Sequence, residues 1–264
     1  MNFWIVDAFA DKRFVGNPAA VLIVQDFPDL VTMQNIAAEL NLSETAFVKR
    51  LGISHYHIRW FTPNSEAPLC GHATIAAVHV LMELGIEKNA MSIKFESLSG
   101  QLIAESDKPW ITLNFPRYVA QHVIPSAQLL AVIKDHFPVY VGFAQDCFLI
   151  ELKHSSQVVD LKPDLGLLSE IECRALIVTS KGYDDFHEYD FISRYFAPRV
   201  GINEDPVCAS AHCRLIPYWS AKFGKRSLLA YQASKRGGII SCEDLQNRVL
   251  ISGTAITVIK GELC

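Results

Sequence analysis

The sequence is short of the features that direct a chain to nucleic acid, to a membrane or to a disulfide scaffold. It has no block of like charge, and 24 Lys+Arg against 28 Asp+Glu give a formal net charge of -4. A protein that meets phosphates needs a basic face, so nucleic acid is not expected as a partner. There is no low-complexity tract, which argues against long disordered tails. No apolar window reaches the roughly 18 residues of a membrane span. The richest, Ala73 to Leu84, is interrupted by His79 and Glu83. The opening M-N-F-W-I-V-D-A-F-A lacks the basic start and long apolar stretch of a signal peptide. Seven cysteines contain no C-x-x-C pair, so neither a disulfide framework nor a zinc cage is signalled. Reduced thiols and a cytoplasmic location are the expectation.

What is present is a chain of 264 residues, half of them hydrophobic, enough for one large domain or two small ones. Alternation and short apolar runs predict strands at Phe3 to Val6, Ala20 to Val24, Thr45 to Lys49, His57 to Phe61 and Ser92 to Phe95. A helix is expected over Asp29 to Leu40, with an acidic cap and Leu30, Met33, Ile36, Ala37 and Leu40 on one stripe. The run Gly71 to Leu84 is apolar nearly all round, as in a helix buried inside a domain, and Gly85 closes it.

An internal repeat runs through the chain. R-W-F-T-P at 59 matches R-Y-F-A-P at 194, an offset of 135, and S-E-A-P-L-C-G-H-A at 65 matches N-E-D-P-V-C-A-S-A at 203, an offset of 138. The offset of 138 persists in Gly100 and Gly238, each 30 residues after its cysteine, and in I-T-L-N-F and V-L-I-S-G, each beginning 41 after. A helix follows each cysteine, the second from Ala209 to Phe223 with Pro217 inside it. The expected fold is α+β: two pseudo-symmetric domains, each a mixed sheet or barrel around a central buried helix. Residues 1–116 would form the first half, completed by a last strand within 255–264, and 117–254 the second.

In each half a proline precedes the cysteine by two residues and the helix starts at about the cysteine. The first turn of a helix carries unpaired N–H groups and a partial positive charge. Gly71, His72 and Ala73 in one half, and Ala209, Ser210 and Ala211 in the other, therefore form two mouths suited to a carboxylate. A pseudo-twofold axis would bring the two face to face. The polar residues gathered there are Cys70 and His72, then Asp205, Cys208, Ser210 and His212. Glu44 stands apart, because it follows a helix, opens an apolar strand and has no acidic counterpart in the second half.

Taken with V-D-A-F, G-N-P-A-A-V, N-L-S-E-T-A-F, C-G-H-A-T, F-A-P and Q-A-S-K-R-G-G, these pieces resemble the PhzF-like family of phenazine biosynthesis, of diaminopimelate-epimerase-like fold. The resemblance spans essentially the whole chain. It implies an isomerase that needs no metal and no organic cofactor, acts on a small anionic substrate and forms a homodimer. Glu44 matches the family's acid/base, His72 and Asp205 its supporting polar pair, and Ser210 the hydroxyl at the helix mouth. Cys208 and Ala209 depart from the threonine and glycine usual there, which leaves the substrate open.

A carboxylate whose pKa is lifted by burial takes and returns a proton well, and helix ends and His72 would stabilise the charge that builds up. Two other readings stay open. One is an amino-acid racemase or epimerase working through Cys70 and Cys208 as a thiol pair, since a helix N-terminus lowers a thiol pKa. The other is a non-catalytic binder of small acids. Glu66 and Glu204, at matching positions, are expected to brace the loop before each helix, Asn17 to serve as a turn residue or else to line the cleft, and His212 to cap or pack.

Overall fold

The computed structural model describes residues 1–87, 91–134 and 136–264. They divide into two compact units, Met1–Asn114 with Ile251–Cys264, and Phe115–Leu250. The first unit carries β1 (Asn2–Ala8), β2 (Asn17–Val24), α1 (Leu30–Leu40), β3 (Glu44–Gly52), β4 (His55–Phe61), β5 (Glu66–Ala67), α2 (Gly71–Glu83), β6 (Ser92–Ser97), β7 (Gly100–Asp107) and β8 (Trp110–Pro116). The second carries β9 (Gln121–His122), α3 (Ala127–Val132), β10 (Tyr140–Ala144), β11 (Cys147–Glu151), α4 (Ser155–Asp160), α5 (Leu165–Glu170), β12 (Ala175–Lys181), β13 (Phe191–Ala197), β14 (Ile202–Asp205), α6 (Ala209–Phe223), β15 (Ser227–Gln232), β16 (Gly238–Asp244) and β17 (Arg248–Gly253). A final strand, β18 (Ala255–Glu262), returns to the first unit and pairs antiparallel with β1.

The repeat read from the sequence is a repeat of topology. In the first unit β2 runs parallel to β3, β3 antiparallel to β4, and β4 parallel to β6. In the second unit β11 runs parallel to β12, β12 antiparallel to β13, and β13 parallel to β15. Each parallel step needs a crossover, which helices supply. The change of offset from 135 to 138 also finds its place. Trp60 pairs with Ala67 as Tyr195 pairs with Asp205, so the extra length lies between those positions, where Pro198–Val200 form one 3₁₀ turn. The fold is mixed α+β.

Each unit wraps its strands around one buried helix. In α2 every residue from His72 to Val78 is buried, with Val80 and Leu81, and the helix packs on β1, β2, β3 and β18. Gly85 ends it at φ 72, a left-handed conformation that glycine adopts without a Cβ penalty. In α6 Pro217 has no N–H for the carbonyl of Cys213 four residues back. That carbonyl instead accepts the Tyr118 N–H at 2.9 Å, so the proline costs no orphaned acceptor. The helix α1 is capped by Asp29, which accepts from Thr32 N–H at 2.9 Å. Its buried stripe is narrower than the pattern suggests. Met33 and Ala37 are buried beside Leu22, Phe47 and Phe61, whereas Leu30, in the first turn, is 54% exposed. Among the described residues no helix is long and apolar enough to cross a membrane.

Candidate active site

Three chain segments meet at the start of α2. Cys70 is extended (φ -143, ψ 116) and its side chain makes no capping bond, so the first-turn N–H groups are left without a side-chain cap. The next side chain, His72, is 5% exposed and lies among the ends of β2 and β3. Register explains its neighbours. Ala19 on β2 pairs with Glu44 on β3, and Asn17 lies two residues before Ala19, so Asn17 and Glu44 share one face of the sheet. His72 enters between them, with Nε2 3.1 Å from Glu44 Oε2 and Nδ1 3.2 Å from Asn17 Nδ2. Cys70 Sγ lies 3.5 Å from the same Nδ1.

An Asn17 N–H donated to Nδ1 leaves the ring proton on Nε2, facing the carboxylate. A second proton, on Nδ1, would require the Asn17 amide to turn. Burial disfavours the imidazolium, but Cys70 and Glu44 beside it outweigh burial and hold the His72 pKa well above its ordinary value. Cys70 itself is pushed up, first by burial and then by the Glu44 charge, so it keeps its proton. The carboxylate is therefore the standing cause of the His72 shift. Of the pair, Glu44 is the more open: its side chain is 15% exposed against 6% for His72.

The second unit presents the matching mouth with different chemistry. Cys208 is extended (φ -109, ψ 106) and likewise makes no side-chain cap. Its Sγ lies 3.2 Å from Ser210 Oγ, and Ser210 is exposed. The carbonyl of each cysteine is taken by the side chain four residues on, Thr74 Oγ1 at 2.6 Å in α2 and His212 Nδ1 at 2.8 Å in α6. Burial depresses His212 to about 4, and its ring packs beside Phe191. Glu66 is held by Arg59 through two bonds of 2.7 and 2.8 Å, and Glu204 by Arg194 through two of 2.7 and 3.0 Å, which ties down the loop before each helix.

Two expectations are corrected. The helix N-terminus does not lower the cysteine pKa values. Cys208 is raised well above its ordinary value by burial and by Asp205, as Cys70 is by burial and Glu44, because loss of water outweighs the helix end. Asn17 is not a turn residue but the first residue of β2, fully buried against His72. A further residue was missed: Gln232, at the end of β15, bonds both Cys208 N and the Asp205 carbonyl, at 2.9 and 2.7 Å. Its signals were a polar amide closing the apolar strand S-L-L-A-Y-Q and its place at the head of Q-A-S-K-R-G-G, where it was given no role.

Glu44, Cys70 and His72 place one possible ligand atom each within 4.8 Å of one another. One ion would have to be met by a single ring nitrogen. Here Glu44 stands at Nε2 and Cys70 at Nδ1, on opposite nitrogens of the ring.

A duplicated α+β chain with a carboxylate and an imidazole at a buried helix start has the makings of an isomerase. Comparison with known proteins fixes the family. Residues 6–261 match the model described as phenazine biosynthesis-like protein. An uncharacterised isomerase of Halalkalibacterium halodurans is 45% identical over 262 residues, covering 98% of this chain and 97% of its own. The crystal structure of a phenazine biosynthesis protein PhzF family member from Enterococcus faecalis superposes with a TM-score of 0.94 at 39% identity, covering 100% of this chain and 98% of that one. A hydroxyproline epimerase from Agrobacterium vitis, crystallised with trans-4-hydroxy-L-proline, shares the fold at a TM-score of 0.62 and 10% identity, over 99% of this chain and 91% of that one. The chain belongs to the phenazine biosynthesis-like family and is an enzyme of the isomerase class.

Proposed function

We propose that the protein is a cofactor-independent isomerase of a small carboxylic acid, with Glu44 as the group that takes a proton from carbon and returns it elsewhere. The carboxylate removes the proton, and the electron pair left behind moves into the conjugated acid. Protonated Glu44 then delivers the proton to another carbon, with no net redox change and no co-reactant. The observation that carries this reading is the Glu44–His72 contact of 3.1 Å, with Glu44 the more exposed of the two. His72 orients the carboxylate and offsets charge as it develops. First-turn N–H groups at Gly71–Ala73 suit its carboxylate, and Asp205 and Ser210 serve at the matching mouth of the second unit, where Ala209–Ala211 offer the same kind of donors.

The thiol-pair reading is disfavoured, because both cysteines are buried and hold their protons. The test is incorporation of solvent deuterium at carbon, measured by mass spectrometry across a panel of small unsaturated and amino acids. Glu44→Gln should lower the rate about 10²- to 10⁴-fold, the usual worth of a general acid/base. Cys70→Ala and Cys208→Ala should retain most of it. Lethal cysteine variants with a mild Glu44→Gln would replace this mechanism by the thiol pair. No exchange with any acid, despite binding, would make the protein a binder.

A further inference from the structure

The segment Asp205-Pro206-Val207-Cys208, which delivers the chain to α6, is fastened at five backbone groups between the Asp205 C=O and the Cys208 C=O. Gln232 Nε2 donates to the Asp205 carbonyl at 2.7 Å, and Ser234 Oγ donates to the Pro206 carbonyl at 2.7 Å. The Val207 N–H reaches Asp205 Oδ1 at 3.2 Å, the Cys208 N–H reaches Gln232 Oε1 at 2.9 Å, and the Cys208 carbonyl accepts from His212. Proline supplies no N–H of its own. Gln232 is fully buried, and both ends of its amide are used within this one segment.

The other unit repeats one of these bonds, since Ser99 Oγ donates to the Pro68 carbonyl at 2.8 Å as Ser234 does to Pro206, but among the described residues it lacks the amide bridge. Strand pairing sets Gly100 opposite Ser97 as it sets Gly238 opposite Gln232, so Ser97 is the counterpart of Gln232. The Ser97 hydroxyl donates instead to Gly100 within its own hairpin, at 2.7 Å. Among the described residues the amide bridge therefore stands only in the unit that carries Asp205, just as Glu44 stands only in the other. At the start of β12 the register counterpart of Glu44 is Ala175.

We propose that Gln232 is a positioning residue: it spans Asp205 and Cys208, fixes the direction of the Asp205 carboxylate, and occupies the Cys208 N–H. The donors left for a substrate at this mouth are then the N–H groups of Ala209, Ser210 and Ala211. A preformed set of this kind needs no rearrangement when the substrate arrives. The assignment of a task to Asp205 rests on the proposed isomerase reading; the clamp itself does not.

The experiment compares Gln232→Met, which removes both bonds at similar size, with Gln232→Glu. Amide hydrogen exchange at Cys208 is followed by NMR, and solvent-deuterium incorporation into a turned-over acid is measured beside it. Gln232→Met should speed Cys208 exchange about tenfold or more, the worth of one hydrogen bond, and lower turnover without abolishing substrate binding. The Glu variant repeats the amide's donor and acceptor pattern only when protonated. Burial raises a carboxyl pKa, so this variant should be impaired near pH 8 and recover toward the wild-type rate as the pH falls to about 5, a recovery that a merely structural lesion would not show. Wild-type Cys208 exchange in Gln232→Met, or a Gln232→Glu rate that follows the wild-type pH profile, would overturn the proposal. If Gln232→Met fails to fold, the pH recovery of Gln232→Glu still decides. If Glu44→Gln turns over normally, the reading of Glu44 as acid/base falls while Cys208 exchange continues to report on the clamp.

Discussion

His72 and His212 begin α2 and α6 at nearly matching places, yet the two rings are held in opposite states. His72 faces a carboxylate, which raises its proton affinity, whereas His212 donates to the Cys208 carbonyl in surroundings that depress it to about 4. The sign of the pH dependence follows. Between about 6.5 and 4 the unfolded chain protonates this histidine and the folded chain does not, so the neutral ring's contribution is complete above 6.5 and lost as pH falls toward 4. A shift of this size corresponds to roughly 3 kcal/mol. Urea unfolding at pH 7 and pH 4.5 should show wild-type protein losing more stability on acidification than His212→Gln, with the difference between them of that order. An equal loss in both would mean that the ring is protonated in the fold. The sequence identified both histidines but not their states, because these depend on Glu44 and on the depth of burial.

At the scale of elements, the arginine braces show how one duplicated motif is loaded differently. Arg59 makes two bonds, both to Glu66, with both side chains about one-fifth exposed. Arg194 makes the same fork to Glu204 and also donates Nη1 to the carbonyls of Val158, Val159 and Leu161, at and just beyond the end of α4. Cations and donors at a helix C-terminus satisfy its orphan carbonyls. Lysine keeps the charge but not the fork. Arg194→Lys should therefore cost about 2–3 kcal/mol and release the amides of α4, while Arg59→Lys costs about 1 kcal/mol. Denaturation midpoints and amide exchange check both, and equal costs would show that the contacts to α4 contribute little. The repeat R-W-F-T-P and R-Y-F-A-P made both arginines visible in the sequence. The carbonyls that Arg194 collects come from some 35 residues away, and no local pattern announces them.

For the whole molecule, the last strand decides how the first unit is closed. β18 supplies the partner of β1, from Asn2 opposite Glu262 to Ala8 opposite Ala255, with one irregularity between Ile5 and Val6. Its Thr257 also meets His79 of α2 at 3.1 Å. Removing residues 255–264 should expose the β1 edge, speed amide exchange through β1 and α2, and promote association through the open edge, with β11 and β12 of the second unit changing least. Uniform protection loss would mean that the units do not respond separately. By itself the sequence determined the duplication, the two buried helices with their bounds to within a residue, the α+β class and the family, because these rest on local periodicity and on motifs that repeat in register. Only the tertiary structure decided that Asn17 and Glu44 bracket His72, that the two cysteines keep their protons and that Gln232 fastens the Asp205 segment. Those facts depend on strand register and on exclusion of water, which no stretch of neighbouring residues encodes.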